Sequence, residues 1–353
     1  MSLNSSPRAV EARAAAGPGT RELLAGESLV FRYPSASPRL RPALGGVDLS
    51  LGYGEIVALV GESGSGKSTL GRILAGLYMP TSGRIAFEGE TVVPGQTPAY
   101  HHYLKSVQLV QQDPFASFNP ALKLEASLTA PLLRHALVRT RQEARRRAAE
   151  LLAQVGLLPP ERFLERFPHE LSGGQLQRAA IARSLTVDPL VLVADEAVTM
   201  LDVSLRLELL QLMRRLGEER RLAYVFITHD FAVTRAFAAG HTAKVLYSGV
   251  VVEEGPVEEI VERPRHPYTR ALVDAIPSGD PDLEAAREAR RLRLRPLPVG
   301  TAVPLLGCPL APRCPRCLPT CQGPDPIPLK EIVPSSGHRV ACLNPLPDES
   351  ALP

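Results

Sequence analysis

Eight consecutive residues, Gly61-Glu62-Ser63-Gly64-Ser65-Gly66-Lys67-Ser68, fit the pattern G-x-x-x-x-G-K-[ST]. The chemistry open to such a run is phosphate binding. Its glycines let successive backbone N–H groups turn toward one point, and a helix N-terminus behind them adds positive potential. Lys67 is then placed to reach the β- and γ-phosphates of a nucleotide and Ser68 to ligate Mg²⁺, with Thr69 following in the same helical turn. The pattern carries weight only between a buried strand and a helix. The flanks supply both, since Ile56-Val57-Ala58-Leu59-Val60 is uniformly apolar and Gly66 to Leu77 reads as helix.

A second apolar run, Leu190 to Ala194, ends in Asp195-Glu196. A carboxylate at such a strand end can hold Mg²⁺ opposite Ser68, and the adjacent Glu196 can polarise an attacking water. Shortly before it, Leu171-Ser172-Gly173-Gly174-Gln175 combines small residues, free backbone N–H groups and a helix beginning near Leu176. Those are the physics of a second phosphate cradle. Near the other end of the chain, Cys308, Cys314, Cys321 and Cys342 follow the spacing C-x5-C-x6-C-x20-C, with Cys317 inside it. Pro309, Pro312, Pro315 and Pro319 stiffen the loops between them. Four thiolates converging on one point can hold Zn²⁺ or an iron–sulfur cluster; reduced free thiols are the competing reading.

These groups need a frame, and the chain supplies one in short apolar runs. Ser28 to Tyr33, Val47 to Ser50, Glu55 to Val60, Arg84 to Phe87, Ser106 to Gln111, Leu190 to Ala194 and Ala223 to Thr228 read as strands. From Asn119 to about Leu185 the pattern is helical, with Ala148, Leu151, Leu152 and Val155 on one face and arginines on the other. Leu205, Leu209, Leu212, Met213 and Leu216 form a further helical stripe. The sum is an α/β domain with a mostly parallel core and a helical insertion. After about Pro277 the composition shifts to Pro, Arg and Cys, as in a loop-rich extension. Arg287, Arg290, Arg291, Arg293 and Arg295 within it read as a solvated face, with contact to anionic lipid or a membrane subunit the lesser reading.

Composition narrows the function. With 353 residues, 44% apolar and 22% charged, the chain is globular rather than disordered. No apolar run is long enough to span a membrane. A net charge of +3 does not call for a nucleic-acid partner. Met1 to Thr20 lacks the layout of a secretory signal and reads as part of a disordered tail over residues 1–27. Five cysteines confined to the last fifty residues do not make a disulfide scaffold, which favours a cytosolic setting.

Taken together, the phosphate loop, Leu171 to Gln175 and Asp195-Glu196, in that order, resemble the ATP-binding subunit of ABC transporters over about Ser28 to Pro277. The resemblance implies a phosphate-loop ATPase domain with an antiparallel β subdomain and a helical subdomain at about 113–185. It implies that Tyr33 stacks on adenine and that Gln112, with Gln111 its rival by register, contacts Mg²⁺ and the water. It implies that Leu201-Asp202 crosses a dimer interface and that His229 senses the γ-phosphate. Ser172, Gly173, Gly174 and Gln175 would then act on ATP held by a second ATPase subunit.

Gln112 to Pro120, Pro168-His169-Glu170, Arg265 to Leu272 and the extension beginning at Gly307-Cys308 are similar to the dipeptide, oligopeptide and nickel importers. That similarity implies two transmembrane permease subunits, an extracytoplasmic solute-binding protein and a peripheral place on the cytoplasmic face of the membrane. In some members of that family such a tail goes with a [4Fe–4S] cluster, which the similarity extends to the four cysteines here, Cys317 being a spare thiol or an alternative ligand. Ala197, Met200 and Leu176 depart from the common pattern without removing a catalytic group. A soluble ABC ATPase acting on nucleic acid or ribosomes is the alternative, weakened by the single phosphate loop and the lack of a heptad run.

Overall fold

The computed structural model describes residues 22–37, 40–276, 292–296, 303, 306–332, 334 and 336–347. Of the expected tail over residues 1–27, residues 1–21 lie outside these residues, as do Arg287, Arg290 and Arg291, whereas residues 22–27 belong to the first strand; Arg293 and Arg295 are exposed.

Strands β1 (Glu22–Phe31), β2 (Leu44–Gly52), β4 (Ser82–Phe87) and β5 (Glu90–Thr91) form an antiparallel sheet in the order β2-β1-β4-β5. The first strand begins six residues before the expected Ser28. Leu23 and Leu24 are fully buried, whereas Ser28 sits at φ 47 where the register shifts, so the strand runs through what looked like a boundary. Tyr33 lies beyond this strand rather than in it.

The main sheet is built on β3 (Ile56–Val60), β6 (Val107–Val110), β7 (Val191–Asp195), β8 (Ala223–Thr228) and β9 (Thr242–Tyr247). Its pairs β3–β8, β3–β9, β7–β8 and β6–β7 are all parallel. Every residue of β3, β7 and β8 is buried, as expected of a parallel sheet covered on both faces. Alternation decides which face each side chain serves. Val57, Leu59, Val191, Val193, Val225 and Ile227 pack with the helix Lys67–Leu74 and the antiparallel sheet. Ile56, Ala58, Val60, Leu192, Ala194, Tyr224 and Phe226 pack with the helices of the other layer.

Helices Leu124–Arg134, Arg141–Gln154, Pro160–Leu164 and Gly173–Ser184 supply the helical part. In the second of them Ala144, Ala148, Leu151 and Leu152 are buried, and Thr140 caps its N-terminus by accepting from the Glu143 N–H. Among the described residues no helix is long and apolar enough to cross a membrane.

The C-terminal extension is more than loop. Antiparallel β10 (Val250–Pro256) adds to β9, and the extension then contributes β12 (Arg339–Val340) and β11 (Lys330–Glu331) to the same sheet. Two-residue strands carry no readable periodicity, so neither was expected from the pattern of residues. The join is polar and buried: Glu253 accepts from the Arg265 N–H at 2.7 Å, from the His266 N–H at 2.9 Å and contacts His338 Nε2 at 2.7 Å. Glu254 pairs with Lys244 and Arg339.

Candidate nucleotide site

Four parallel strands end at one edge of the sheet, and each delivers a polar group there. Val60 lies opposite Thr228, Asp195 opposite Ile227 and Val110 opposite Ala194. The phosphate loop after β3, His229 after β8, Asp195-Glu196 ending β7 and Gln112 after β6 are therefore neighbours. In an open α/β sheet this carboxyl edge is where ligands bind.

Backbone geometry explains the loop's glycines. Gly66 sits at φ 107, and a Cβ there would lie 2.5 Å from the Ala43 carbonyl oxygen. Gly61 packs so closely on β9 that a Cβ would lie 2.2 Å from the Leu246 carbonyl oxygen. No side chain fits either place, so the loop must turn on glycine. Lys67 Nζ donates to the carbonyl oxygens of Gly61 at 2.7 Å and Glu62 at 2.9 Å, and to Ser65 Oγ at 3.4 Å. Burial lowers its pKa, opposed by the carboxylates of Glu196, Asp195 and Glu62.

Ser68 Oγ donates to Asp195 Oδ1 at 2.8 Å. Burial raises the Asp195 pKa, while the Ser68 hydroxyl and the charges of Arg72 and Lys67 hold it down. Two hard oxygen donors in contact on a buried carboxylate suit Mg²⁺ chemically. Beside them Gln112 Nε2 donates to Glu196 Oε2 at 2.9 Å, and His229 Nδ1 lies 3.4 Å from Glu196 Oε1. Glu196 itself adopts φ 47, a left-handed backbone unusual for glutamate. Its N–H donates to the Ile227 carbonyl, and its own carbonyl accepts from the Thr199 hydroxyl. Gln112, not its rival Gln111, makes the contact with Glu196.

Tyr33 is 36% exposed; its hydroxyl lies 3.0 Å from Thr69 Oγ1 and its ring stands edge-on to Phe31 and Tyr78. That arrangement leaves an aromatic surface at the outer side of the phosphate loop. Ser63 and Gly64 are exposed on the same loop, Gly64 at φ 80 with nothing near a would-be Cβ.

The segment Ser172 to Gln175 goes elsewhere. Its helix starts at Gly173 rather than near Leu176, because Ser172 is the N-cap. The Ser172 hydroxyl accepts from the Gln175 N–H and the Gln175 side chain accepts from the Ser172 N–H, closing a reciprocal capping box. A Cβ on Gly174 would meet Leu205 and Leu201, and one on Gly173 would meet nothing within 4 Å among the described residues. Asp202 caps the helix Val203–Arg220 through the Leu205 N–H. Among the described residues no hydrogen bond joins Ser172 to Gln175 with the phosphate loop of the same chain. Met200 is 67% exposed, so this departure disturbs no packing.

The cysteines gather in the extension. The Cys308 N–H donates to the Cys321 carbonyl at 2.8 Å, and Cys308, Cys314 and Cys321 are buried. Burial pushes the Cys308 thiol up to about 12 and that of Cys342 to about 11, with the neighbouring cysteines adding to both. Among the described residues, however, no group of three or more His, Cys, Asp or Glu side chains is arranged to hold a metal ion.

Two contacts escaped the sequence reading. The Glu62 N–H donates to the Tyr268 hydroxyl at 2.7 Å, and Arg313 donates to the Glu62 carboxylate at 3.0 Å. Tyr268 stood in the conspicuous run Arg265 to Leu272, but Arg313 lies 251 positions from its partner and no pattern links them.

A phosphate loop after one buried strand and paired carboxylates after another define a nucleotide hydrolase of the phosphate-loop class. Residues 44–199 match the ABC transporter family model, and residues 252–321 match the oligopeptide/dipeptide transporter C-terminal region. The chain is 38% identical over 307 residues to the oligopeptide transport ATP-binding protein OppF of Escherichia coli, covering 87% of this chain and 89% of that protein. It is 41% identical over 301 residues to the oligopeptide transport ATP-binding protein AppF of Bacillus subtilis, covering 85% and 88%. A solved dimeric ATP-binding cassette, MJ0796 in a post-hydrolysis state with ADP and Pi, matches with a TM-score of 0.60 at 30% identity, over 67% of this chain and 99% of that one. The chain belongs to the ATP-binding subunits of ABC transporters, in the oligopeptide/dipeptide branch. It is an ATPase, using ATP with Mg²⁺.

Proposed function

We propose that this chain is the motor of a peptide importer and that the groups gathered at the sheet edge carry out its hydrolysis. The observation that supports the reading most is the double contact of Glu196 with Gln112 and His229, beside Ser68 on Asp195. Phosphoryl transfer to water needs charge neutralisation and an oriented nucleophile more than covalent help. Lys67 and the N–H groups of Gly64, Ser65, Gly66 and Ser68 take the phosphates; Ser68, Asp195 and Gln112 hold Mg²⁺, which neutralises phosphate charge when bound. Glu196 orients and polarises the water, held by Gln112 and His229. Tyr33 supplies the adenine surface.

The second half of the site comes from another ATPase subunit, identical or related. Gly173 supports this, because among the described residues nothing requires glycine where an added side chain would meet open space. Close approach by another molecule would require it. Met200, Val203, Leu205 and Leu207 present exposed apolar surface beside Asp202, as a contact face would. Two permease subunits, an extracytoplasmic binding protein and a place on the cytoplasmic face of the membrane complete the assembly. The relatives named for oligopeptide transport favour peptides as the solute. Reconstitution with the partner permease in vesicles tests this: ATP turnover should rise when the binding protein is loaded with peptide. Turnover indifferent to peptide would overturn the assignment of solute.

The extension forms the smaller part of the proposal. The gathering of Cys308, Cys314 and Cys321 in one buried part of the extension, with Cys342 beside it in sequence pattern, is what favours a metal centre of [4Fe–4S] or Zn²⁺. Such a centre would have to displace the protons that burial holds on the thiols and draw the side chains into an arrangement they do not have among the described residues. Anaerobic purification with iron, sulfide and zinc analysis decides it. Absence of all three, with every thiol alkylating in the native protein, would leave reduced thiols.

A further inference from the structure

Glu62 is the most heavily tied residue of the phosphate loop, and two of its ties come from outside the motif. Its carbonyl accepts from Lys67 Nζ, its N–H donates to the Tyr268 hydroxyl, and its carboxylate accepts from Arg313. Tyr268 is fully buried in the helix Pro267–Val273, its ring 4.6 Å from that of Tyr247. Burial raises the Tyr268 pKa, and the neutral hydroxyl's oxygen is the acceptor for the Glu62 N–H. Arg313 belongs to the C-terminal extension, and its guanidinium sits 6.0 Å over the same Tyr247 ring. Tyr247 ends β9, the strand whose Leu246 carbonyl crowds Gly61. Two routes from beyond the nucleotide motifs thus meet on one loop residue.

We propose that Arg313 and Tyr268 are positioning residues for ATP. By holding the carboxylate and amide of Glu62 they fix the turn at Gly61-Glu62 and, through the Glu62 carbonyl, the place of the Lys67 ammonium. The extension thereby sets the nucleotide affinity of the ATPase domain. Arg313 and Glu62 side chains are 23% and 42% exposed, so their pair adds little to global stability. A cradle that must match phosphate oxygens is far more sensitive, since misplacement by about 1 Å can lower activity ~10²-fold. The role concerns ATP alone and holds whatever solute the transporter carries.

The test uses the full chain, with a fluorescent ATP analogue for binding and steady-state ATP turnover. Arg313→Ala should raise Kd and KM for ATP by ~5-fold while kcat stays within about twofold and the melting temperature is unchanged. Arg313→Lys should recover part of that loss, because one charged donor remains. Tyr268→Phe keeps the ring and removes only the hydroxyl that accepts from the Glu62 N–H, and should act in the same direction. Combining Arg313→Ala with Glu62→Gln should do no more harm than either alone, as expected of one shared contact. Wild-type Kd in both Arg313→Ala and Tyr268→Phe would overturn the proposal. So would losses that add in the double variant or track a fall in melting temperature. Lys67→Ala, weakening binding in the same assay, shows that the assay reports the phosphate loop, so failure here is separable from failure of the ATPase reading.

Discussion

The Ser68 hydroxyl donates a 2.8 Å hydrogen bond to the Asp195 carboxylate across 127 positions of sequence. The contact locks the start of the phosphate-loop helix to the end of β7, and it holds a carboxylate whose charged form burial opposes. Function and stability therefore pull apart at Asp195. Asp195→Asn keeps the shape and removes the charge, so nucleotide-free melting should occur at an equal or higher temperature. Mg²⁺-dependent turnover should fall by ~10² or more, the scale of losing a metal-held charge clamp. Paired thermal melts and ATPase assays check this; a variant both less stable and fully active would contradict it.

Glu196 is assigned as the residue that polarises the water, held from two sides by Gln112 and His229. Glu196→Gln should cut turnover by ~10²–10⁴, the usual effect of losing a positioned general base. ATP binding should survive, and an ATP-bound dimer should accumulate in size-exclusion chromatography. Near-normal turnover in the assembled transporter would remove Glu196 from that role.

The shared-site proposal separates two variants. Lys67→Ala should weaken ATP binding to the isolated subunit. Ser172→Arg should leave that binding nearly unchanged and abolish hydrolysis, because Ser172 makes no contact with its own phosphate loop among the described residues. Nucleotide titration of each purified subunit measures the difference. Loss of binding in Ser172→Arg would mean that the segment serves its own chain.

Legibility in the sequence followed the range of the interactions. The phosphate loop, β3, β7 and β8 were readable because each is one local run whose residues share a burial or a ligand. Glu196 and His229 were readable as strand ends, yet their 3.4 Å approach depends on the parallel register of β7 and β8. The start of β1 was missed because Gly26 and Ser28 interrupt its alternation with a bulge. Arg313 on Glu62 and His338 on Glu253 were invisible, being single polar contacts between distant segments that leave no periodic trace.

His266 gives the fold a pH dependence whose sign is fixed by its burial. It is fully buried, and that burial holds its pKa down to about 4, with the nearby Glu253 carboxylate opposing the shift. In the unfolded chain it titrates at about 6.5. Between those values the unfolded chain binds the proton and the folded one does not, so stability is present above about 6.5 and lost as pH falls toward 4. Full titration is worth on the order of 3 kcal/mol at ~1.4 kcal/mol per pKa unit. Neutral His266 also matters locally, since its Nδ1 accepts from the Tyr268 N–H at 3.1 Å and caps the helix Pro267–Val273. Protonation removes that acceptor from the helix that carries Tyr268 to Glu62. Asparagine can cap a helix without titrating. His266→Asn should therefore flatten the fall in melting temperature between pH 7 and 5 while leaving the curve above pH 7 parallel to wild type. An unchanged slope in the variant would assign the acid sensitivity to other groups.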